Sequence, residues 1–225
     1  NTVSGSSSSS SSNFDDEEKE KIHKALQKPI EYMNLQRNEV ANNLRNIAVN
    51  AIDKNQTDID ILSKQIHEHP ELNYEEHYAH EVITNFLKER NFKVETKWGG
   101  LETAFVAECG TGEKPIVAIC CEYDALPDIG HACGHNVISS IGLGAIYLLS
   151  KYTNGLNNDV TIVGCPAEEI IPLTFKNGGG GGKIKLIKKG VFNETKAALM
   201  IHPATRDEID PLMIAVKQID VEFYG

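Results

Sequence analysis

Basic residues are in short supply. The chain holds 22 lysines and arginines against 32 aspartates and glutamates, for a net charge of −10. Non-specific nucleic-acid binding and adhesion to an anionic membrane both need a basic surface, so neither partner is expected. No apolar run reaches the roughly 18–20 residues of a membrane span. The N-terminus lacks the basic stretch and apolar core of a secretory signal, although the chain starts on Asn1 rather than methionine, which leaves room for a removed leader. Cysteines number five, an odd count without framework spacing, and Cys120 and Cys121 are adjacent. A reduced, cytoplasmic protein is expected rather than a disulfide scaffold. The glycine run 178–182 does not complete a phosphate-binding G-x-x-x-x-G-K-[ST] pattern, because Lys183 is followed by Ile184. It reads as a flexible entry to a helix.

What is present suffices for a sizeable core: 225 residues, 40% of them hydrophobic. Residues 1–34 form a low-complexity segment, opening on a serine tract that cannot bury a core, and are expected to be disordered or partly helical. Val40, Leu44, Ile47 and Ala51 recur at helical spacing and predict a helix over 35–52. "NQTD" predicts a break, with Thr57 capping a short helix that runs to "HEHP". A further helix starts near Asn73, which pairs with Glu76 in a capping-box pattern. Strands are predicted over 92–98, 103–109, 115–123, 159–166, 197–203 and 212–225, and helices over 137–152 and 183–190. The run "PIVAICCEY" is continuously apolar, as in a strand covered on both faces. Strands alternating with helices imply an α/β sheet with helices on both faces, which binds ligands beyond the strand carboxyl ends.

The chemistry-bearing residues fall at three such ends. Asp124 follows one strand, Glu168 and Glu169 the next, and His202 a third. A transition-metal site needs nitrogen, sulfur and oxygen ligands converging from separate elements. Cys133 and His135 can reach one centre from one loop, just before a helix whose positive end lowers a thiol pKa. The Glu168–Glu169 pair offers one carboxylate for a metal and one for a proton, and His202 a second imidazole. Cys109, Cys120, Cys121 and Cys165 lie in or beside strands and read as core. His67, His69, His77 and His80 read as surface-helix residues, and "KIKLIKK" as a solvated face. Two other functions fit parts of the pattern: a cysteine hydrolase with Cys133 as nucleophile and His135 as base, and a non-catalytic binding protein.

In order along the chain, "HPELNYEE", "CEYDALPDIGHACGHN", "GCPAEE", "GGGGGKIKLIKKGVF" and "ALMIHPA" resemble the zinc metallopeptidase family of aminoacylases, amidohydrolases and glutamate carboxypeptidases, peptidase family M-twenty. The nearest branch is that of the dipeptidases and aminobenzoyl-glutamate hydrolases, and the resemblance covers about residues 55–225. It implies a three-layer sandwich, a mixed, mostly parallel sheet between helices, over 35–214. Residues 215–225 would then be the first strand of an inserted lid and dimerisation domain. It further implies metal-dependent hydrolysis of an amide bond in a small dipeptide or N-acyl amino acid by a homodimer, with Zn2+, one ion or two, or Mn2+ or Co2+ in its place. By resemblance Cys133, His135, Glu169 and His202 are metal ligands, Glu168 is the general base that activates water, and Asp124 stands just behind the site. Glu122 takes the place where other branches carry a histidine ligand, and Asp128 and His131 shape the loop. Asn136, in "CGHN", leans toward the dipeptidase branch. The family pattern also departs here in two ways. The lid and a final ligand histidine would lie past Gly225, so the chain reads as a fragment. And "IIPLTFKN" (170–177) intervenes between the paired carboxylates and the glycine run.

Overall fold

The structure, a computed structural model, describes residues 16–110, 116–152, 160–169 and 181–205. The chain divides into two compact units, Asn1–Asn50 and Ala51–Gly225. Helix α1 runs over Asp16–Glu68, α2 over His77–Glu89, α3 over His135–Tyr152 and α4 over Gly182–Lys189. The strands are β1 (Lys93–Thr96), β2 (Phe105–Cys109), β3 (Ile116–Glu122), β4 (Val160–Cys165) and β5 (Thr195–Leu199). No helix among the described residues is long and apolar enough to cross a membrane. The expected loop at 170–177 and strand at 212–225 lie outside the described residues.

The five strands form one sheet in the order β1-β2-β4-β3-β5. β3 is parallel to β4 on one side and to β5 on the other, while β2 is antiparallel to both β1 and β4. The chain passes from β3 through α3 to β4, then through α4 back across β3 to β5. β3 is therefore the strand where the winding reverses, and such a reversal opens a crevice at its carboxyl end. Alternation along the strands divides the core by face. Ile119, Cys121 and Ile162 pack with Leu62, Ile66, Ile83, Leu87, Leu143 and Ile146 of α1, α2 and α3. Ala118, Cys120, Val163 and Cys165 pack with Leu186 of α4. This is the two-sided burial expected of the run at 115–123. Gly164 is required where β4 pairs with β2 opposite Phe105, because a Cβ there would fall 2.1 Å from the Phe105 ring.

Two local expectations fail. The predicted break at "NQTD" is absent, and α1 continues through it. Two of its polar side chains bond within the helix, Asn55 Nδ2 donating to the Ala51 carbonyl at 2.7 Å and Gln56 Nε2 to Asp60 at 3.3 Å, while Asp58 accepts from Arg90 at 2.7 Å. Of the helical face predicted over 40–51, Val40 and Ile47 are exposed and Ala51 is buried. Nor does Asn73 cap α2. Glu71 does so from further back, its two carboxylate oxygens accepting the Tyr78 and Ala79 N–H groups at 2.9 Å each. These are orphan donors of the first turn.

Candidate metal centre

Three parallel neighbours put their carboxyl ends on one edge, and the loops that leave them converge there. The loop after β3 carries Asp124, Cys133 and His135, the segment after β4 carries Glu168 and Glu169, and the segment after β5 carries His202. The β3 loop is held by left-handed backbone at Asp128 (φ 64°) and Gly130 (φ 59°), with a Leu126–Gly130 bridge. Gly134 (φ 81°) lets the Cys133–His135 turn meet the third segment, since a Cβ there would touch the Pro203 ring at 3.0 Å. Asp128 and Gly130 shape the loop and do not enter the cluster.

Cys133, His135 and His202 each present one donor atom, and the three atoms lie within 4.8 Å of one another. Cys133 Sγ is 3.3 Å from His202 Nε2. His135 is buried, and its Nδ1 lies 2.8 Å from Asp124 Oδ1. An Nδ1–H donated to that carboxylate leaves the Nε2 lone pair facing the cluster, the carboxylate–histidine arrangement that orients a metal-ligating imidazole. His202 Nδ1 is likewise 2.9 Å from the Pro203 carbonyl, leaving its Nε2 toward Cys133. Around His135 Nε2 stand Glu122 Oε2 at 3.2 Å and Glu169 Oε1 at 3.4 Å. Asp124 also accepts the Glu169 N–H at 2.7 Å, so one carboxylate fixes both His135 and the paired-glutamate segment.

The electrostatics are those of a cation site. Burial pushes the Cys133 thiol up to about 12, with the Glu169, Glu122 and Asp124 carboxylates acting in the same direction. The lowering expected from the helix end is therefore not found. Burial by itself would lower the His135 pKa, but the Asp124 hydrogen bond, with Glu122 and Glu169, raises it above its ordinary value. A soft thiol and two imidazoles fenced by carboxylates fit a borderline-soft divalent ion, and each imidazole has its other nitrogen already engaged.

The predicted site residues therefore fall into two groups. Cys133, His135, His202, Glu169 and Asp124 come together directly. Glu168 turns to Lys183: its Oε1 accepts the Lys183 N–H at 2.7 Å and its Oε2 the Lys183 ammonium at 2.9 Å. Lys183 also pairs with Glu122, which thereby links the ammonium to His135. Burial raises the Glu168 pKa despite the opposing Lys183 charge. Lys183 is thus not part of the solvated face that "KIKLIKK" suggests. Its signal in the sequence is position: a lysine in the first turn of a helix meets the positive end of the dipole, so something anionic must hold it there. His131 is buried beside the cluster without joining it, its pKa lowered by burial and by His135. Asn136 staples α3 to α1, donating to Ser63 Oγ at 3.1 Å, and does not face the donors. Cys120, Cys121 and Cys165 are buried, as expected of core cysteines.

An open α/β sheet with thiol, imidazole and carboxylate donors beyond its parallel strand ends defines a metal-binding class of site. No protein-family model matches the chain. Among curated proteins it is 36% identical over 182 residues to human Xaa-Arg dipeptidase, covering 73% of this chain and 39% of that protein. It is 33% identical over 175 residues to a p-aminobenzoyl-glutamate hydrolase polypeptide of Escherichia coli, covering 69% and 34%. A dinuclear metal-binding peptidase of the M20 family from Bacillus subtilis superposes with a TM-score of 0.54 at 28% identity, covering 63% of this chain and 41% of that one. The chain is homologous to the M20 peptidases, on the branch of the dipeptidases and aminobenzoyl-glutamate hydrolases, and spans less than half the length of these relatives.

Proposed function

We propose that this chain is the metal-binding part of a dipeptidase or amidohydrolase, which cleaves the amide bond of a small dipeptide or N-acyl amino acid. The observation that carries the reading is the convergence of Cys133, His135 and His202 within 4.8 Å, backed by carboxylates. Glu169 completes the donor set. Zinc is the ion the thiol and imidazoles favour, with manganese or cobalt as competitors. When bound, the metal supplies Lewis-acid polarisation of the scissile carbonyl. The chain's own residues do the rest. Asp124 holds His135 in one tautomer. Glu168, buried and with a raised pKa, takes the proton of the attacking water and returns it to the leaving amine. Lys183 and Glu122 hold Glu168 in place. The five free cysteines support a reduced, cytoplasmic setting, and a homodimer rests on the resemblance alone.

The test pairs two variants. Glu168→Gln is expected to retain zinc while turnover of dipeptides falls by a factor of about a hundred or more, the scale of general base catalysis. Cys133→Ala is expected to lose zinc and turnover together. Retained turnover in Glu168→Gln with metal intact rules out Glu168 as base. The 3.3 Å contact between Cys133 and His202 supports one other reading, a cysteine nucleophile. A thiol pushed up to about 12 opposes it. Activity that resists chelators and dies on alkylation would favour it.

A further inference from the structure

Besides Asp128, the non-glycine residues Tyr74 and Ala167, on segments that flank the metal centre, hold left-handed backbones, at φ 63° and φ 57°. Neither side chain is of a type that favours this region. Both peptide N–H groups donate to the same atom, Glu76 Oε1, at 2.9 Å from Tyr74 and 2.8 Å from Ala167. The other oxygen, Oε2, accepts the Thr103 hydroxyl at 2.7 Å. Glu76 is wholly buried, with 0% of its surface exposed. Burying a carboxylate is costly unless its lone pairs are met, and here the donors come from three separate segments. Ala167 is the residue immediately before Glu168 and Glu169. Its left-handed turn sets the direction in which the paired carboxylates leave β4. The neighbouring Asn73 grips the same segment from the other side, donating to the Glu169 carbonyl at 2.9 Å.

We infer that Glu76 is a positioning residue for the Glu168–Glu169 pair: its carboxylate pins the strained Ala167 peptide and so aims Glu169 at the metal donors. This role presupposes the proposal that Glu169 holds a metal. A role confined to joining α2 to the sheet would need the Thr103 bond and not the Ala167 bond, and the two are separable.

The experiment is a zinc titration of the metal-stripped protein against a chromophoric competitor chelator. Glu76→Gln keeps an oxygen for both N–H groups and is expected to bind zinc within about threefold of the wild type. Glu76→Ala is expected to bind at least tenfold more weakly. Ala167→Gly should change affinity little in the wild-type background, because glycine adopts a positive φ without a Cβ penalty. In the Glu76→Ala background it should recover at least half of the loss on a logarithmic scale. Thr103→Val, which removes the third donor without touching Ala167, should leave affinity within threefold. Glu76→Asp, one methylene shorter, carries the same outcomes alone and with Ala167→Gly if Glu76→Ala does not fold. A wild type that binds zinc and a Cys133→Ala that does not, together with unchanged affinity in Glu76→Ala, would overturn the role of Glu76 alone. So would a double variant no better than its parent. A wild type that fails to bind zinc overturns both this role and the metal reading.

Discussion

At the scale of single residues, the site depends on a carboxylate, that of Asp124, turned to the far side of the His135 ring from its metal-facing nitrogen. Asp124 accepts from His135 through one oxygen and from the Glu169 N–H through the other. Asp124→Ala should therefore release two donors at once. An outer partner of a metal-ligating histidine is worth roughly 10–100-fold in affinity, and the upper end is expected here, read by chelator competition. An affinity within threefold of the wild type would show that His135 is oriented by packing alone. Lys183 is a different case, with its side chain one-quarter exposed (26%) and Glu122 and Glu168 largely buried beside it. Lys183→Met leaves two carboxylates without their cation. Breaking a fully buried pair costs about 3–5 kcal/mol, and the partial exposure of the lysine reduces that to an expected loss of about 2 kcal/mol. Urea unfolding of the metal-free protein measures it, and an unchanged midpoint would mean the pairs contribute nothing net. The residues whose types announce metal chemistry, Cys133, His135 and His202, are legible in the sequence. Glu76 is not, because a glutamate just before a helix is ordinarily solvated, and Lys183 is legible only by its place in the first turn, since its partners come together through the three-dimensional course of the chain.

At the scale of elements, the strands are legible and the helix ends are not. Strands β2, β3 and β4 fall within the predicted runs because a sheet buried on both faces demands continuous apolar sequence. Helix starts are decided by which side chain reaches the orphan N–H groups, and that depends on the path of the preceding loop. Asn73 and Glu76 have the spacing of a capping box, but the left-handed turn at Tyr74 carries both away from the helix start. Asn73 goes to Glu169, Glu76 to Ala167, and Glu71 takes the cap. The Glu71 carbonyl also accepts the Ala125 N–H at 2.8 Å, so this turn binds the β3 loop as well. Glu71→Ala should cost about 1–2 kcal/mol, the range for losing a cap, in denaturant unfolding. The same assay on Asn73→Ala tests the alternative directly. If Asn73 were the cap its loss would be the larger; the structure predicts the smaller stability effect for it and, instead, a loosening of the Glu169 segment. At the other end of the site, a Cβ on Gly182 would fall 1.9 Å from the Pro166 carbonyl oxygen. That contact is to backbone and cannot be relieved by a rotamer, so α4 and the Lys183 it carries are set against β4 by the absence of a side chain.

At the scale of the molecule, one buried carboxyl beside the acidic crevice has a consequence for folding. The crevice at the winding reversal gathers Glu122, Asp124, Glu168 and Glu169, while Glu76 is sealed beneath them. Burial raises Glu76 from its ordinary value of 4.5 to about 7, although Thr103, Tyr74 and Ala167 all donate to it and pull the other way. A carboxyl whose pKa is higher in the folded than in the unfolded chain favours folding when protonated. Its contribution is full below the unfolded value and is lost as pH rises to the folded one. Between pH 4.5 and about 7 the protein should lose roughly 3 kcal/mol from this group. The raw pH profile will not display that slope cleanly. His80 and His131 have pKa values lowered chiefly by burial, and they work in the opposite direction, favouring the folded state as pH rises through their unfolded value. The comparison of wild type with Glu76→Gln cancels them, since both proteins carry the same histidines. The difference in unfolding free energy, measured in urea on metal-free protein at half-unit steps from about pH 4.5 to 7.5, should move by about 3 kcal/mol in favour of the glutamine variant. The movement should be largely complete near pH 7. A difference independent of pH would mean that Glu76 is ionised throughout, held by its three donors against the cost of burial. The clamp on Ala167 would then be stronger at low pH than burial alone predicts.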